Sequence, residues 1–406
     1  MREERPGMRV IGLMSGTSYD AVDAAAADLA LRGDRLELTP LGMVSAAYPA
    51  EVRAALAAAL PPAKTTMQQV CMLDTRIGQA FASLAVRADR ELCDGRTDLV
   101  SSHGQTVWHW AEDGQVHGTL QLGEAAWIAE ATGRPVVSGL RTRDVAAGGQ
   151  GAPLVSLVDV MWLRGRPGTP VALNLGGIAN ITVAAGDRDP VAFDTGPANA
   201  LVDAAVHHFT GGRLAYDEDG ALAARGSVRP GLLRRLLDEP YYAAPPPKTT
   251  GKELFHLPYL LGALTECGDG PLPPQDVVAT VTELTARTVA DAARAVGATE
   301  VIASGGGTRN PTLMARLRTA LGGVPLRTSD ELGLPSAAKE AYAFAVLGFL
   351  TANGLAGTLP ACTGARHAGV LGSITPGSGG LRLPEPAAER PVRLVLSPGP
   401  GADAAR

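Results

Sequence analysis

Three times in this chain a short apolar run stops at glycine. Residues 10–14 (VIGLM) end at Ser15-Gly16-Thr17-Ser18, residues 171–175 (VALNL) at Gly176-Gly177, and residues 300–304 (EVIAS) at Gly305-Gly306-Gly307. Apolar runs this short, bounded by turn residues, read as buried strands. After the first two turns apolar residues resume, at 21–28 and 178–183, so each reads as strand, turn, strand. After the third, residues 310–321 read as a helix. The first turn adds the hydroxyls of Ser15, Thr17 and Ser18 to a run of backbone N–H groups, a concavity that suits phosphate. Asp20 and Asp23 follow it, where a hydrated Mg²⁺ takes carboxylates. No GxxxxGK[ST] occurs there, so it is not a Walker A loop. Taken alone, the turn is equally an ordinary hairpin with a polar tip.

The order of the three constrains more than any one. Phe193-Asp194-Thr195-Gly196-Pro197 puts a carboxylate at a strand end, before a helix running to Phe209. A glycine hairpin in each half, then strand–GGG–helix, describe an α/β chain with a duplicated actin-like (ASKHA, ribonuclease H-like) fold. In that fold two lobes close on ATP. A length of 406 residues also favours two domains. The expected division is a first lobe over residues 1–143 and a second over 144–376, whose last segment is free to return to the first. Residues 377–406, rich in Pro, Gly, Ala and Arg, read as a disordered tail.

Between these landmarks, residues 50–60 and 67–93 read as helices. Residues 98–102 read as a buried strand delivering His103-Gly104-Gln105-Thr106. Residues 119–124 are expected to open a helix ending near Gly133, and residues 337–350 to form another that carries Glu340. The loop 147–153 (AGGQGAP) is too glycine-rich for an element interior, which places it at a domain boundary or against a ligand. Asp217-Glu218-Asp219 reads as a solvated turn.

Net charge is −5, which favours neither nucleic acid nor an anionic membrane. No stretch approaches the ~18 apolar residues of a membrane span, and the N-terminus lacks a signal-peptide core. The four cysteines form no CxxC pair and suit a reducing compartment. These features predict a soluble cytoplasmic protein.

Several side chains have two readings. His103, amid Ser101, Ser102, Gln105 and Thr106, is a substrate contact or a core histidine. With His109 it lacks the spacing of a helical zinc pair. Arg141 and Arg143 can bind a carboxylate in bidentate fashion, or one of them pairs with Asp144. Glu124 is a substrate contact or a helix-start charge. Lys248 is a phosphate contact or a surface lysine.

SGTSYDAVD, SHGQTVWH, QLGEAAWIAEATG, RDVAAGGQGAPL, NLGGIANIT, FDTGPANALVD and PPPKTTGKELF, in this order, resemble the anhydro-N-acetylmuramic acid kinases. The resemblance runs from about Ile11 to the mid-370s. It implies ATP-dependent, hydrolytic opening of 1,6-anhydro-N-acetylmuramic acid with phosphorylation of O6, in cell-wall recycling. It implies Asp194 as the catalytic base. Ser15, Gly16, Thr17, Ser18, Asp20, Asp23, Gly176, Gly177, Asn180, Gly305, Gly306 and Gly307 would hold ATP, with Mg²⁺ reached from Asp20 and Asp23 through water. His103, Gln105, Thr106, Glu124, Arg141, Asn199 and Glu340 would contact the sugar. Ala21, Leu140 and Ala198 depart from the family pattern. A kinase for a related anhydro-sugar such as levoglucosan, or a catalytically silent actin-like binding protein, are the alternatives. The partners expected are the sugar and ATP, and a homodimer stays open.

Overall fold

From Val10 onward strand β1 (Met8–Met14) is apolar and buried on both faces. In the computed structural model, residues 7–16, 19–60, 63–112, 115–186, 188–246, 248–251 and 254–399 are described. After β1 come β2 (Ala21–Arg32), β3 (Arg35–Ala47), α1 (Ala50–Ala59), α2 (Met67–Cys93), β4 (Leu99–Ser102), β5 (Gln105–Glu112), β6 (Gln115–Leu122), α3 (Ala125–Thr132), β7 (Val136–Ser138), α4 (Leu140–Ala146) and α5 (Ser156–Leu163). Next are β8 (Pro170–Leu175), β9 (Ile178–Val183), β10 (Val191–Pro197), α6 (Asn199–Phe209), α7 (Pro274–Ala295), β11 (Glu300–Ser304), α8 (Pro311–Ala320) and β12 (Leu326–Thr328). The chain finishes with α9 (Lys339–Ala352), β13 (Ser373–Thr375) and β14 (Arg393–Leu396); further helices, among them Pro230–Leu237 and Leu257–Glu266, lie between.

Two units result, Met1–Arg164 with Ala338–Arg406, and Gly165–Ala337. In the first, the sheet order is β13-β7-β4-β1-β2-β3-β14. β1, β2 and β3 are antiparallel neighbours, while β4 and β7 continue the sheet in parallel. In the second, the order is β10-β9-β8-β11-β12. There β8, β9 and β10 are antiparallel and β11 and β12 parallel. The five central strands of the first sheet thus repeat the second sheet's order and directions. This is the duplicated actin-like α/β fold expected from the glycine turns.

Leu73, Ile77, Phe81 and Leu84 form the buried stripe of α2, at helical spacing. Thr66 and Gln69 close a capping box at its start. α9 lies on β1, β2 and β4. Gly12 permits this, because a Cβ there would collide with the carbonyl of Ala341. Helices α7 and α8 bury Val289, Ala293, Leu313 and Leu317 with Leu173 and Ile181 of the second sheet.

Three sequence expectations change. The first division falls after Arg164 rather than 143, because α4, the glycine-rich loop and α5 pack within the first unit; the last segment returns to the first unit, as the sequence left open, from Ala338, where α9 covers its sheet. Residues 119–122 belong to the β5–β6 hairpin rather than a helix; Thr119 pairs with His109 and Leu122 with Gln105. The tail is docked: β14 pairs in parallel with β3, Leu36 against Leu394, and Leu394 is buried. Pro and Gly content concealed this four-residue strand.

Candidate functional site

In the first unit, β1 and β4 end side by side, Leu13 opposite Ser102. Their polar continuations therefore meet. Ser15 Oγ donates to Gln105 Oε1 at 2.7 Å, Tyr48 OH donates to the same oxygen at 3.2 Å, and Gln105 Nε2 donates to the Gly16 carbonyl at 3.2 Å. The first glycine turn is thus tied to the SHGQT segment. Thr17 and Ser18 lie outside the described residues. Thr106 Oγ1 accepts from Gln121 Nε2 at 3.2 Å.

His103 is buried against the Phe344 ring. Arg141 Nε donates to His103 Nε2 at 2.7 Å, and a guanidinium can only donate. The proton therefore sits on Nδ1, which donates to the Gly104 carbonyl at 2.7 Å. Burial, then the Arg141 charge, hold His103 well below the usual histidine range. Both ring nitrogens are engaged within the protein, so the histidine sets the arginine rather than offering a free edge to a sugar. Arg141 Nη1 also donates to the Gly151 carbonyl at 2.8 Å. Burial lowers its pKa, opposed by the charges of Glu340 and Asp144.

Asp144 explains the glycine-rich loop. Its carboxylate accepts from Gly151 N at 2.8 Å and from Thr363 Oγ1 at 2.9 Å, and a Cβ at Gly149 would collide with it. The loop is wrapped on this carboxylate and presents the Gly151 carbonyl to Arg141. Glu340, in the first turn of α9, is within electrostatic reach of Arg141, Lys339, Asp159 and Asp23, and burial raises its pKa.

Glu124 caps α3 by accepting from Ala126 N at 3.0 Å. Asp20 is exposed and ion-paired with Arg53, whereas Asp23 is half-buried in β2. Among the described residues, no group of three or more His, Cys, Asp or Glu side chains is placed to hold a metal.

In the second unit the two glycine turns meet. Asn199 Nδ2 donates to the carbonyls of Leu175 and Gly176 at 3.2 and 2.9 Å. Backbone N–H groups of Ala198 and Ala200 donate to Gly177, and that of Asn199 to Gly176. The start of α6 is thereby fastened to the β8–β9 turn, and the Asn199 amide holds that turn. Gly305 has φ +87°, and a side chain there would collide with Asn174 and Leu175. A Cβ at Gly307 would press on Leu175, while one at Gly306 would meet nothing nearer than 3.9 Å. The GGG turn thus packs against the end of β8 and keeps an open side at Gly306.

Asp194 lies opposite Asn180, beside a bulge in β10. Its Oδ2 accepts from Thr250 N at 2.9 Å, its N–H donates to the Lys248 carbonyl, and its carbonyl accepts from Tyr241 OH at 2.8 Å. Lys248 Nζ donates to the carbonyls of Tyr241 and Tyr242 and lies 4.8 Å from the Tyr241 ring centre. It is neither a free surface lysine nor, in this arrangement, a phosphate contact: it ties the 241–250 segment that embraces Asp194.

A family model described as anhydro-N-acetylmuramic acid kinase matches residues 8–377. The chain belongs to that family. It is therefore an enzyme of the kinase class. A Streptomyces avermitilis relative named anhydro-N-acetylmuramic acid kinase is 72% identical over 389 residues, covering 96% of this chain and 100% of that one. A Streptomyces coelicolor relative of the same name is 64% identical, covering 97% and 100%. One from Rhodococcus erythropolis is 65% identical, covering 92% and 96%. Among the described residues, no helix is long and apolar enough to cross a membrane.

Some residues of this anhydro-N-acetylmuramic acid kinase family member escaped sequence reasoning. Asp217, expected in a solvated turn, is buried and accepts from Leu222 N and Ala223 N. Tyr241 lies in the four-residue helix Pro240–Ala243, too short to show periodicity, and Thr250 stood out only as part of PPPKTTGKELF, with no sign that its N–H would hold Asp194. Asp159 and Lys339, a buried pair at 2.8 Å, look in sequence like two isolated charges.

Proposed function

We propose that the protein uses ATP to open 1,6-anhydro-N-acetylmuramic acid with water and to phosphorylate O6, giving N-acetylmuramic acid 6-phosphate and ADP, in the cytoplasm during cell-wall recycling. The observation that carries this reading is Asp194. Its carboxylate is held by Thr250 N on β10, opposite Asn180 of the strand that leaves the Gly176–Gly177 turn.

Asp194 takes a proton from water as the water oxygen bonds to C1. The C1–O6 bond breaks, and O6 keeps the electron pair. O6 then attacks the γ-phosphorus, and the bond to the ADP oxygen breaks. Phosphoryl transfer depends on positioning and charge neutralisation. Gly176, Gly177, Asn180 and Gly305–Gly307 would position the nucleotide; Ser15, Gly16, Thr17 and Ser18 supply donors to its phosphates. Arg141, with its Nε spent on His103, would face the lactyl carboxylate through its remaining N–H groups. Gln105, Thr106 and Glu340 would complete the sugar contacts.

Two carboxylates, Asp20 and Asp23, follow the first turn, and Asp20 is already engaged by Arg53. Such a sparse donor set fits Mg²⁺ carried mainly by water and phosphate oxygens. When bound, Mg²⁺ neutralises charge on the transferring phosphoryl group.

A coupled assay for ADP, run with the anhydro-muramic sugar, N-acetylmuramic acid and levoglucosan, tests the reading. ADP formed only with the anhydro-muramic sugar, and abolished by EDTA, is expected. Preference for levoglucosan would assign the related kinase, and silence with every sugar a binding protein.

A further inference from the structure

Lys339 and Asp159 form an ion pair at 2.8 Å with side chains only 5% and 7% exposed. Asp159 is on α5, every residue of which is buried, and Lys339 is the first residue of α9. Its ammonium also lies 5.9 Å from the Trp162 ring centre. The chain leaves the first unit after Arg164 and re-enters it at Ala338. The pair therefore joins the last helix before that departure to the first helix after the return.

Stability alone is a poor reason for this arrangement. Desolvating an ion pair costs several kcal/mol per ion, and apolar replacements of buried pairs are often neutral or stabilising. A lysine at a helix N-terminus also opposes the helix dipole. What the pair supplies is a fixed start for α9, whose N-cap residue Ala338 makes no side-chain capping bond. The next residue is Glu340, which lies in the field of Arg141 and Asp23.

We infer that Lys339 and Asp159 are positioning residues: their pair fixes the first turn of α9 and thereby the place of the Glu340 carboxylate that this turn carries. This deepens the proposed sugar site and rests on that reading for its kinetic arm only.

Lys339→Met alone would strand a buried Asp159, so the test uses the double variant Lys339→Met/Asp159→Leu, with Lys339→Arg as the conservative control. The first readout needs no sugar. In protein labelled with [¹³C]carboxyl glutamate, the Glu340 signal, assigned by its loss in Glu340→Gln, is expected to move in the double variant and to stay in Lys339→Arg. The second is kinetic. The double variant should raise KM for the anhydro-muramic sugar about tenfold or more, leave KM for ATP within twofold, and keep a Tm equal to or above that of the native protein. Lys339→Arg should restore native KM. An unmoved Glu340 signal in the double variant overturns the inference. So does a fall in Tm with both KM values changed together, which would make the pair a stability element. If the native protein turns over no anhydro-sugar, the functional reading fails, and the carboxyl signal still decides the positioning.

Discussion

Arg141 donates through Nε to His103 Nε2 at 2.7 Å, and this single bond fixes the tautomer of one residue and the plane of the other. A guanidinium cannot accept a hydrogen bond, so the imidazole must be neutral with its proton on Nδ1. ¹⁵N spectra of the folded protein should show His103 as the Nδ1–H tautomer, with ring shifts that barely change when the sugar is added. A large change at Nε2 on sugar binding would return His103 to the sugar contacts.

The same bond has a pH consequence. Unfolded, His103 gains a proton as pH falls through about 6.5. Folded, burial and Arg141 keep it neutral well below that. The unfolded state then binds more protons, so this contribution to stability is present above pH 6.5 and is lost as pH falls below it, at up to about 1.4 kcal/mol per pH unit. Burial raises Glu340 and Asp144, which act in the opposite direction but stay in place in His103→Gln. The difference in stability between native protein and His103→Gln, measured by urea unfolding, should therefore narrow from pH 7.5 to 5.5.

If Arg141 pairs with the lactyl carboxylate, Arg141→Ala should weaken binding of the muramic sugar by ~2 kcal/mol or more, the order of a charge-assisted hydrogen bond. An anhydro-sugar lacking the lactyl group should lose little affinity. Calorimetry on both sugars decides the point, and equal losses would make Arg141 structural.

Asp194→Asn keeps an oxygen for Thr250 N but has no carboxylate to take a proton from water. Loss of a general base predicts a fall in kcat of ~10² to 10⁴. Nucleotide affinity and Tm should stay near native values. A collapse of Tm would show that the carboxylate holds the 241–250 segment together and does no chemistry.

Removing residues 388–406 strips β14 from the edge of β3 and removes Leu394 from the core. Burial of one leucine is worth about 1.5–3 kcal/mol, and the bared edge invites strand addition. Thermal unfolding should shift down by several degrees, with aggregation on heating. A truncated protein as stable and monodisperse as the full chain would show that β14 adds nothing.

How far the sequence was legible depended on periodicity. The glycine turns, α2 and the β1–β2 and β8–β9 hairpins could be read because their spacing is local. Asp194 reads as a strand end because Thr195-Gly196-Pro197 looks like a turn, but β10 continues through a bulge to Pro197 and Asp194 is mid-strand; its hold by Thr250 could not be read at all, since 56 residues separate them. The loop 147–153 announced itself by composition, and only the fold shows that Asp144 organises it. Residues 119–122 read as a helix start because QLGE precedes a helix; the cross-strand partners that make them a strand, such as His109 opposite Thr119, are ten residues away. Lys339 was hidden beside Glu340 because its partner Asp159 lies on the far side of the whole second unit in sequence.

Gly12 lets α9 lie directly on β1, and α9 is made only after the second unit has been synthesised. Translation therefore imposes an order on assembly. The second unit is continuous and can close as soon as it emerges, whereas β1, β2 and β4 must wait with one apolar face bare. The half of the protein that leaves the ribosome first is the half that is finished last. A nascent chain stopped before Lys339 would carry a complete second unit and an unfinished first one.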